Sequence, residues 1–308
     1  MDELLKIIIQ IGIISLIFFV PILNFKTLKF GEIKDLSYFD KLFFNLIFLI
    51  NLMLILSFFN LNITNIIIII MILILIFYIY NFLNNFNIHK KKVNFKFFFL
   101  LIFFFIIAVD VGHNLQLGWD AQKLWFPKVL NFYQGNNLEN LGKLHWPEYP
   151  YLGSLLWAFF WKISFSDYEY LGRFIYIFIF CLSIFSISDI LKVSLTKQLL
   201  FISLSIALIY NYYLFNGYQE ILIFSFVIFA AKYCYLIVHE KKFNIIYLGF
   251  LILIFNALIW TKNEGIFISL FILIIIFFFS KLQLNQKLIL SFILTLLVVF
   301  RFFVFRFY

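Results

Sequence analysis

The sequence predicts an all-α fold, a polytopic bundle of transmembrane helices, and two observations support this prediction. The chain of 308 residues is 65% hydrophobic and only 13% charged, whereas a soluble domain is about half apolar and a quarter charged. Long apolar runs recur from Leu4 to Phe305, and many approach the roughly 20 residues that a helix needs to cross a bilayer. The composition therefore excludes a soluble domain and predicts an integral, multi-pass membrane protein.

Polar breaks between the apolar runs divide the chain into about ten predicted spans. Their approximate bounds are 4–25, 42–59, 63–83, 96–110, 174–191, 199–215, 220–238, 244–260, 265–280 and 288–305. One further apolar segment, 151–165, is short and contains Lys162, so it predicts an interfacial or re-entrant helix. The first run follows Asp2 and Glu3 and precedes no small-residue cleavage site, which favours a retained span over a removed signal peptide.

The distribution of lysines predicts the sidedness of these spans. If 151–165 stays at the surface and 111–150 is extracytoplasmic, 14 of the 24 basic residues fall in short cytoplasmic loops, as the positive-inside rule expects. These residues are Lys26, Lys29, Lys34, Lys41, Lys90, Lys91, Lys92, Lys96, Lys192, Lys197, Lys241, Lys242, Lys281 and Lys287. If 151–165 crosses the membrane, the last six of them move outside. We therefore predict an external N-terminus, three N-terminal helices in 1–95, and a core in 96–308 with an external loop at 110–172.

The predicted external loop has the most unusual composition in the chain. Six of the 15 acidic residues lie between Asp110 and Glu169, together with three of the four prolines. A loop that merely connects two helices is usually a handful of residues long, and loops carry binding and catalytic residues disproportionately. The sequence therefore predicts that the chemistry of this protein lies in and around this loop.

Several short motifs follow one another in and after this loop. They are Gly118-Trp119-Asp120-Ala121-Gln122, the Pro-rich stretch His145 to Pro150, the apolar segment Tyr151 to Phe165, Arg173 at the start of a span, Glu220 in Gly217-Tyr218-Gln219-Glu220, and Trp260-Thr261-Lys262-Asn263-Glu264-Gly265. Their order over about 97–280 resembles that of the GT-C membrane glycosyltransferases, in particular the protein O-mannosyltransferases and the lipid A aminoarabinose transferases. Tyr151 to Phe165 corresponds to the juxtamembrane helix of that family.

This resemblance implies a membrane enzyme that transfers a sugar from a polyprenyl-phosphate donor to an acceptor hydroxyl. The acceptor would be a glycolipid, a polysaccharide or a protein, and the active face would lie outside a bacterial inner membrane, in the cell envelope. A carboxylate would remove the proton of the acceptor hydroxyl, and cationic or donor side chains would stabilise the phosphate leaving group.

Asp120 is the first candidate for this base. Its neighbours Trp119 and Trp125 would partly desolvate the carboxylate at the membrane interface. The alternative is a helix N-cap, because Asp before Ala-Gln-Lys suits a helix start. Asp110 is the rival base, although a residue that closes a span is more often a boundary marker. Glu220 is either a second catalytic acid or an acidic residue stabilised by a helix N-terminus.

Five further residues are candidates for substrate binding: Lys262, Arg173, His145, Trp119 and Glu264. Lys262 either contacts the donor phosphate or forms an ion pair with Glu264. Arg173 requires a partner, which is either phosphate or one of the nearby acids Asp167 and Glu169. His145 is a phosphate or sugar contact or else a surface histidine, and Trp119 either stacks on a sugar or belongs to an interfacial aromatic belt.

The sequence indicates no cofactor and no nucleic-acid partner. His113, His145 and Asp120 would allow a divalent cation, but their spacings of 7 and 25 residues are nonspecific. The net charge of +9 is typical of basic cytoplasmic loops, and no long basic run suggests nucleic-acid binding.

Two other classes of function remain as alternatives. A transporter or flippase for a lipid-linked saccharide would usually carry charged residues within its spans and an internal repeat. Here Lys232, Asp189 and Arg301 are predicted near helix ends, and the sequence contains no visible repeat. A non-catalytic membrane protein is the other alternative.

Overall fold

The protein folds into helices, as the sequence predicts. The computed structural model describes residues 3–19, 36–84, 95–239 and 245–307, and these residues form α-helices with short 3-10 and π-helical turns but no β-strand. The α-helices are α1 (Glu3–Phe19), α2 (Tyr38–Phe58), α3 (Ile63–Asn84), α4 (Phe95–His113), α5 (Phe126–Tyr133), α6 (Leu152–Lys162), α7 (Tyr170–Ser188), α8 (Leu195–Ile209), α9 (Glu220–His239), α10 (Ile245–Thr261), α11 (Glu264–Phe279) and α12 (Leu284–Phe307).

Six helical segments in the described part of the chain are long and apolar enough to cross a membrane. They are Tyr38–Phe58, Ile63–Tyr80, Phe95–His113, Tyr170–Leu191, Glu220–His239 and Leu284–Arg306. Three shorter apolar helices, α8, α10 and α11, have 15 to 17 residues. At 1.5 Å per residue they are about 23–26 Å long, which is less than the hydrocarbon core of about 30 Å. The protein is thus a membrane protein with six candidate spanning helices among these residues.

Helix α7 lies at the centre of the bundle. All of its residues except Ile187 are buried, and a helix that is apolar all round is stable only when other helices or lipid cover every face. Helices α4, α6 and α9 pack against α7. By contrast, α12 leaves Phe292, Phe302 and other large apolar side chains exposed, as expected for a helix that faces lipid on one side.

Contacts between helix ends define two ends of the bundle. At the end that carries residues 114–169, which we call the loop end, Arg173 at the start of α7 bonds to the carbonyl of Phe215, just before α9. Lys262 after α10 bonds to Glu220 at the start of α9. At the opposite end, Lys96 at the start of α4 pairs with Asp189 after α7. Successive long helices therefore run in alternating directions.

The lysines that predict sidedness divide into two groups. Lys26, Lys29, Lys34, Lys90, Lys91, Lys92, Lys241 and Lys242 lie outside the described residues. Lys41, Lys96, Lys192, Lys197, Lys281 and Lys287 all lie at the opposite end of the bundle, on segments that begin or finish helices there. The six lysines of this set that the structure describes are thus collected at the end of the bundle opposite the loop.

The segment predicted as an interfacial or re-entrant helix forms α6, which lies across the loop end. Its 11 residues correspond to only about 16 Å of helix, too short to span a bilayer. Residues Leu152–Trp161 are all buried, so α6 is covered by protein rather than resting on the surface. Gly172 permits the tight crossing of α6 and α7, because a Cβ there would overlap the carbonyl oxygen of Trp157.

A buried ion pair joins three helices near the opposite end. The ammonium of Lys232 in α9 donates to Asp40 Oδ1 in α2 at 2.6 Å and to Ser186 Oγ in α7 at 2.9 Å. The hydroxyl of Tyr233 also donates to Asp40, at 2.8 Å. The sequence predicts Lys232 near a helix end, but the structure buries its side chain between α2, α7 and α9. Each of these buried charges has a partner only because the three helices meet, and either charge buried alone would be unfavourable.

Candidate functional site

Two backbone segments meet at the loop end, and each of them leads into one of the two candidate acids. The N–H of Gly118 donates to the carbonyl of Asn216 at 2.9 Å, and a Cβ at Gly118 would overlap the ring of Tyr218. Gly217 adopts φ +86°, and a Cβ there would lie 2.8 Å from that of Ala121. Only glycine tolerates both the close approach and the positive φ. As a result Asp120 and Glu220 flank one junction.

The Asp120 carboxylate is free in the described part of the protein. It lies half-buried at the start of a π-helical turn, Ala121–Trp125, and accepts no capping hydrogen bond. Its backbone is already helical, with φ −63° and ψ −37°, whereas an N-cap residue has an extended backbone. The capping interpretation is therefore wrong. With no hydrogen bond or ion pair to a described residue, this carboxylate is available to accept a proton.

Trp119 lies beside this carboxylate and is 69% exposed. By contrast, Trp125 in the same turn is buried and packs edge-to-face against Tyr149. The two tryptophans therefore have different roles. Trp125 anchors the loop, and the indole of Trp119 remains available to a ligand or to the membrane interface.

Asp110, the rival base, is already engaged in hydrogen bonds. Its carboxylate accepts a short hydrogen bond from the Tyr210 hydroxyl and a longer one, 3.3 Å, from the amide of Asn114. These contacts tie the end of α4 to the end of α8. Asp110 therefore serves the packing of the loop end, in line with its interpretation as a boundary residue.

Lys262, Glu220 and Glu264 form an ionic cluster at the loop end. Lys262 Nζ lies 2.6 Å from Glu220 Oε1 and 3.6 Å from Glu264 Oε1, which confirms the ion-pair interpretation and adds Glu220 to it. Burial alone would lower the pKa of Lys262, but the hydrogen bond and charge of Glu220, helped by Glu264, raise it. The ammonium is therefore charged, and the two carboxylates leave the cluster with one net negative charge.

Arg173 lies beneath this surface, fully buried. Its guanidinium donates to Glu169 Oε1 and to the Phe215 carbonyl, both at 3.1 Å. The indole N–H of Trp157 donates to the Glu169 carbonyl at 2.9 Å. Burial raises the pKa of Glu169, and Arg173 opposes that rise. Arg173 thus has the acidic partner that its position required, and it braces the segment that leads to Glu220.

His145 lies in a different part of the loop end from this junction. It is exposed, and its ring packs edge-to-face on that of Trp146 at 5.1 Å. A cleft of about 160 Å³ lies nearby, lined by Leu138, Leu141, Gly142, Pro147, Glu148, Tyr151, Val304 and Phe305. The structure therefore places Asp120, Glu220, Lys262 and Glu264 on neighbouring segments. Among the described residues, no hydrogen bond or ion pair joins His145 to any of these four.

An apolar groove of about 760 Å³ lies between α9 and α11. Its walls run from Val227 to His239 on α9 and from Phe267 to Phe279 on α11, a length of about 18 Å at 1.5 Å per residue. Phe267 is one helical turn from Glu264, so the groove approaches the ionic cluster. The sequence does not reveal it, because groove-lining and lipid-facing residues of these helices are equally apolar.

Lys128 is a buried charged residue to which the sequence analysis assigns no role. Its side chain is fully buried, and Nζ donates to the carbonyl of Tyr149 at 2.5 Å. Burial lowers the pKa of Lys128 to about 7, with Glu148 opposing this shift and Arg301 adding to it. The only sequence signal is its position directly after Pro127 in a Trp-rich turn.

Comparisons with protein-family models, with characterised proteins and with solved structures find no match for this chain. The functional assignment therefore rests on the geometry of the loop end.

Proposed function

We propose that this protein is an integral-membrane glycosyltransferase that moves a sugar from a polyprenyl-phosphate donor to an acceptor hydroxyl at the loop end. In this proposal Asp120 is the general base, because its carboxylate is half-buried and has no hydrogen bond or ion pair to a residue that the structure describes. Glu220 is the second acid and is oriented by Lys262. Trp119 offers an exposed ring for stacking on a sugar, and Arg173 acts indirectly by bracing the segment before Glu220.

The observation that carries this proposal is the groove between α9 and α11. A polyprenyl donor combines a long apolar tail with a charged head, so its site needs an apolar channel that approaches a polar, reactive surface. The groove supplies about 18 Å of apolar wall, and its Phe267 end lies one turn from Glu264. A lipid tail in this groove would hold its phosphate and sugar near the junction that bears Asp120 and Glu220.

We test the activity with the purified full-length protein and a panel of polyprenyl-phosphate sugars, supplied with crude membranes as the source of acceptor. Transfer of one sugar to lipid, polysaccharide or protein would support the proposal and identify the donor. If no sugar is transferred, although the protein binds the lipid-linked donor, the enzyme proposal is wrong.

A transporter or flippase for a lipid-linked saccharide is the second candidate. The buried Lys232–Asp40 pair favours it, because ionisable residues within membrane helices often mark transport pathways. Vesicles that contain the purified protein separate the two functions. A flippase moves the labelled donor between leaflets without an acceptor, and a transferase consumes the donor only when an acceptor is present.

The proposed topology has ten spans, with the loop end outside a bacterial inner membrane. It extends the six candidate spans by α1, α8, α10 and α11, which also run between the two ends of the bundle. Single cysteines at Asn136 and Lys197, in a chain that lacks Cys181 and Cys234, should react with an impermeant thiol reagent from opposite faces. Asn136 should label from outside. Labelling of both positions from one face would contradict the topology.

Lys262→Met should weaken use of the lipid-phosphate donor by roughly tenfold, the scale of one charge-assisted hydrogen bond. Methionine keeps the apolar stem but leaves Glu220 and Glu264 without their shared cation, so two carboxylates then repel the donor phosphate. The measurement is the Michaelis constant for the donor. Lys281→Met, an exposed lysine at the opposite end, is the matched control, and equal small effects of both changes would show that Lys262 is only an anchor.

A further inference from the structure

The turn that joins α6 to α7, residues 163–169, holds a bulky apolar side chain in an unusual conformation. Phe165 adopts φ +51°, in the left-handed region where bulky residues are outliers. Its side chain is 85% exposed, the largest fraction among the large apolar side chains that the structure describes. Backbone strain of this kind is found most often where a residue has a function. A strained backbone that carries an exposed phenyl ring therefore requires an explanation.

Hydrogen bonds and ring packing hold the turn in this shape. The backbone N–H of Ser164 donates to the carbonyl of Trp161 at 3.0 Å. The buried hydroxyl of Ser164 lies 2.7 Å from the same carbonyl oxygen and 2.9 Å from that of Ser166. The ring of Trp161 also stacks on Tyr133 of α5, with centroids 3.8 Å apart. These contacts fix the backbone on both sides of Phe165 and leave its ring uncovered.

Contacts with α1 and α4 place this turn beside the end of a candidate spanning helix. The ammonium of Lys6 in α1 lies 3.9 Å from the ring centroid of Tyr168, in the turn. The next residue of α1, Ile7, packs against Gly112, where an added Cβ would lie 3.0 Å from Ile7 Cδ1. Gly112 is the last residue but one of the candidate span Phe95–His113. The turn is therefore level with the end of α4, where the membrane interface is expected.

The exposed surface of the turn continues onto an apolar part of α1. The side-chain amide of Gln10 donates to the carbonyl of Phe160 at 2.8 Å and to that of Leu171 at 3.1 Å. These bonds fix α1 against the last turn of α6 and the first turn of α7. Three apolar side chains in the first two turns of α1 are exposed, namely Leu4, Leu5 and Ile8. Phe165 therefore lies beside a helix face that lipid covers in the proposed topology.

The charged side chains near Phe165 offset one another. Lys162 donates to the carbonyl of Tyr133 at 3.1 Å, and the carboxylate of Asp167 bonds to the hydroxyl of the same tyrosine. On the α1 side, Glu3 lies one helical turn before Lys6. Two lysines and two carboxylates give this surface no excess charge with which to attract a charged partner. Its exposed apolar area is the property that remains for recognition.

We propose that the turn 163–169 is a lipid-contacting wedge, in which Phe165 inserts among the lipids of the leaflet at the loop end. Transfer of the phenyl ring from water to lipid is favourable and offsets the strain of its backbone. Tyr168, with an apolar ring and a polar hydroxyl, suits the head-group level just beside it. The wedge holds the connection between α6 and α7 at the membrane edge. This contact does not depend on sugar transfer.

Spin labels measure whether position 165 lies in lipid or in water. Single cysteines are introduced as Phe165→Cys, Phe292→Cys or Glu139→Cys in the full-length chain that lacks Cys181 and Cys234, and the labelled proteins are placed in phosphatidylcholine nanodiscs. Phe292 is exposed on a candidate span and serves as the lipid control, and Glu139 is exposed in the loop and serves as the water control. Power saturation compares collisions with oxygen, which concentrates in lipid, and with a water-soluble nickel chelate.

We expect the ratio of oxygen to nickel accessibility at position 165 to be several-fold higher than at 139 and close to that at 292. A ratio close to that at 139 would overturn the proposal, because the turn would then lie in water and Phe165 would be exposed to a protein partner instead.

A second variant decides the question even if Phe165→Cys does not fold. Phe165→Trp keeps an aromatic ring, and its added fluorescence is the difference from the wild type. Brominated phosphatidylcholine should quench this added emission but not that of Glu139→Trp. Because the nearby charges offset one another, adding phosphatidylglycerol should leave the quenching unchanged. Absence of quenching, or quenching only in the anionic vesicles, would contradict an apolar wedge.

Discussion

Asp120→Asn should lower sugar transfer by roughly 10²-fold or more, the usual contribution of a positioned general base. Asparagine has nearly the same shape but cannot accept the proton of the acceptor hydroxyl. Because Asp120 makes no capping bond and no ion pair with any residue that the structure describes, its replacement removes basicity without breaking a described contact. The measurement is the single-turnover rate of transfer, made on protein whose thermal stability matches that of the wild type.

Asp110→Asn is the matched control for this change. Asp110 accepts hydrogen bonds from Tyr210 and Asn114, so its replacement should loosen the junction of α4 and α8 while transfer falls much less than in Asp120→Asn. Near-normal transfer by Asp120→Asn would contradict the assignment. Equal losses from the two changes would move the base to Asp110 or Glu220.

Lys232→Met should destabilise the protein by about 3–5 kcal/mol, the scale for removing one partner of a buried ion pair. The change leaves the Asp40 carboxylate buried with the Tyr233 hydroxyl as a remaining partner at 2.8 Å. An unpaired carboxylate in this interior is unfavourable because no water replaces the lost ammonium. The free energy of unfolding, measured by denaturant titration in detergent, should fall accordingly.

The double variant Asp40→Asn with Lys232→Met separates loss of charge balance from loss of packing. The single side-chain oxygen of asparagine can still accept one of the two hydrogen bonds that Asp40 takes, from the Tyr233 hydroxyl at 2.8 Å or from the backbone N–H of Ser37 at 3.2 Å. The double variant should therefore be more stable than Lys232→Met alone. Lys197→Met, an exposed lysine at the same end, should have little effect. If Lys232→Met is no more destabilising than Lys197→Met, the buried pair does not stabilise the fold.

The helical fold and the order of its helices are predictable from the sequence because they depend on local apolar length. The run 63–83, for example, corresponds to α3 (Ile63–Asn84), and 220–238 to α9 (Glu220–His239). A helix satisfies its own backbone hydrogen bonds, and lipid or protein then covers the apolar side chains. Neither the backbone hydrogen bonds of a helix nor the coverage of its apolar side chains depends on contact with one particular residue elsewhere in the chain. The number of spans does not follow from apolar runs in the same way, because α8, α10 and α11 are apolar but shorter than the six candidate spans among the described residues.

The sequence predicts which residues belong to the candidate site, but it does not predict which of them are in contact. Charged residues in an apolar chain are conspicuous, so Asp120, Glu220, Lys262 and Glu264 are easily selected from the sequence. The partner of each one is not predictable, since Lys262 pairs with Glu220 across 42 residues. The burial of Arg173 beneath Phe215 is equally hidden, because a basic residue that opens a helix usually faces solvent.

By itself, the sequence determined the all-helical class, the membrane location and the residues able to carry charge, all of which follow from composition and local periodicity. The tertiary structure alone decided which of those charges are free and which are paired. It packed Gly118 against Asn216 and Tyr218, and it buried Lys232 against Asp40. These outcomes depend on contacts between residues far apart in the chain, and in a close-packed interior such contacts follow from how the helices fit together.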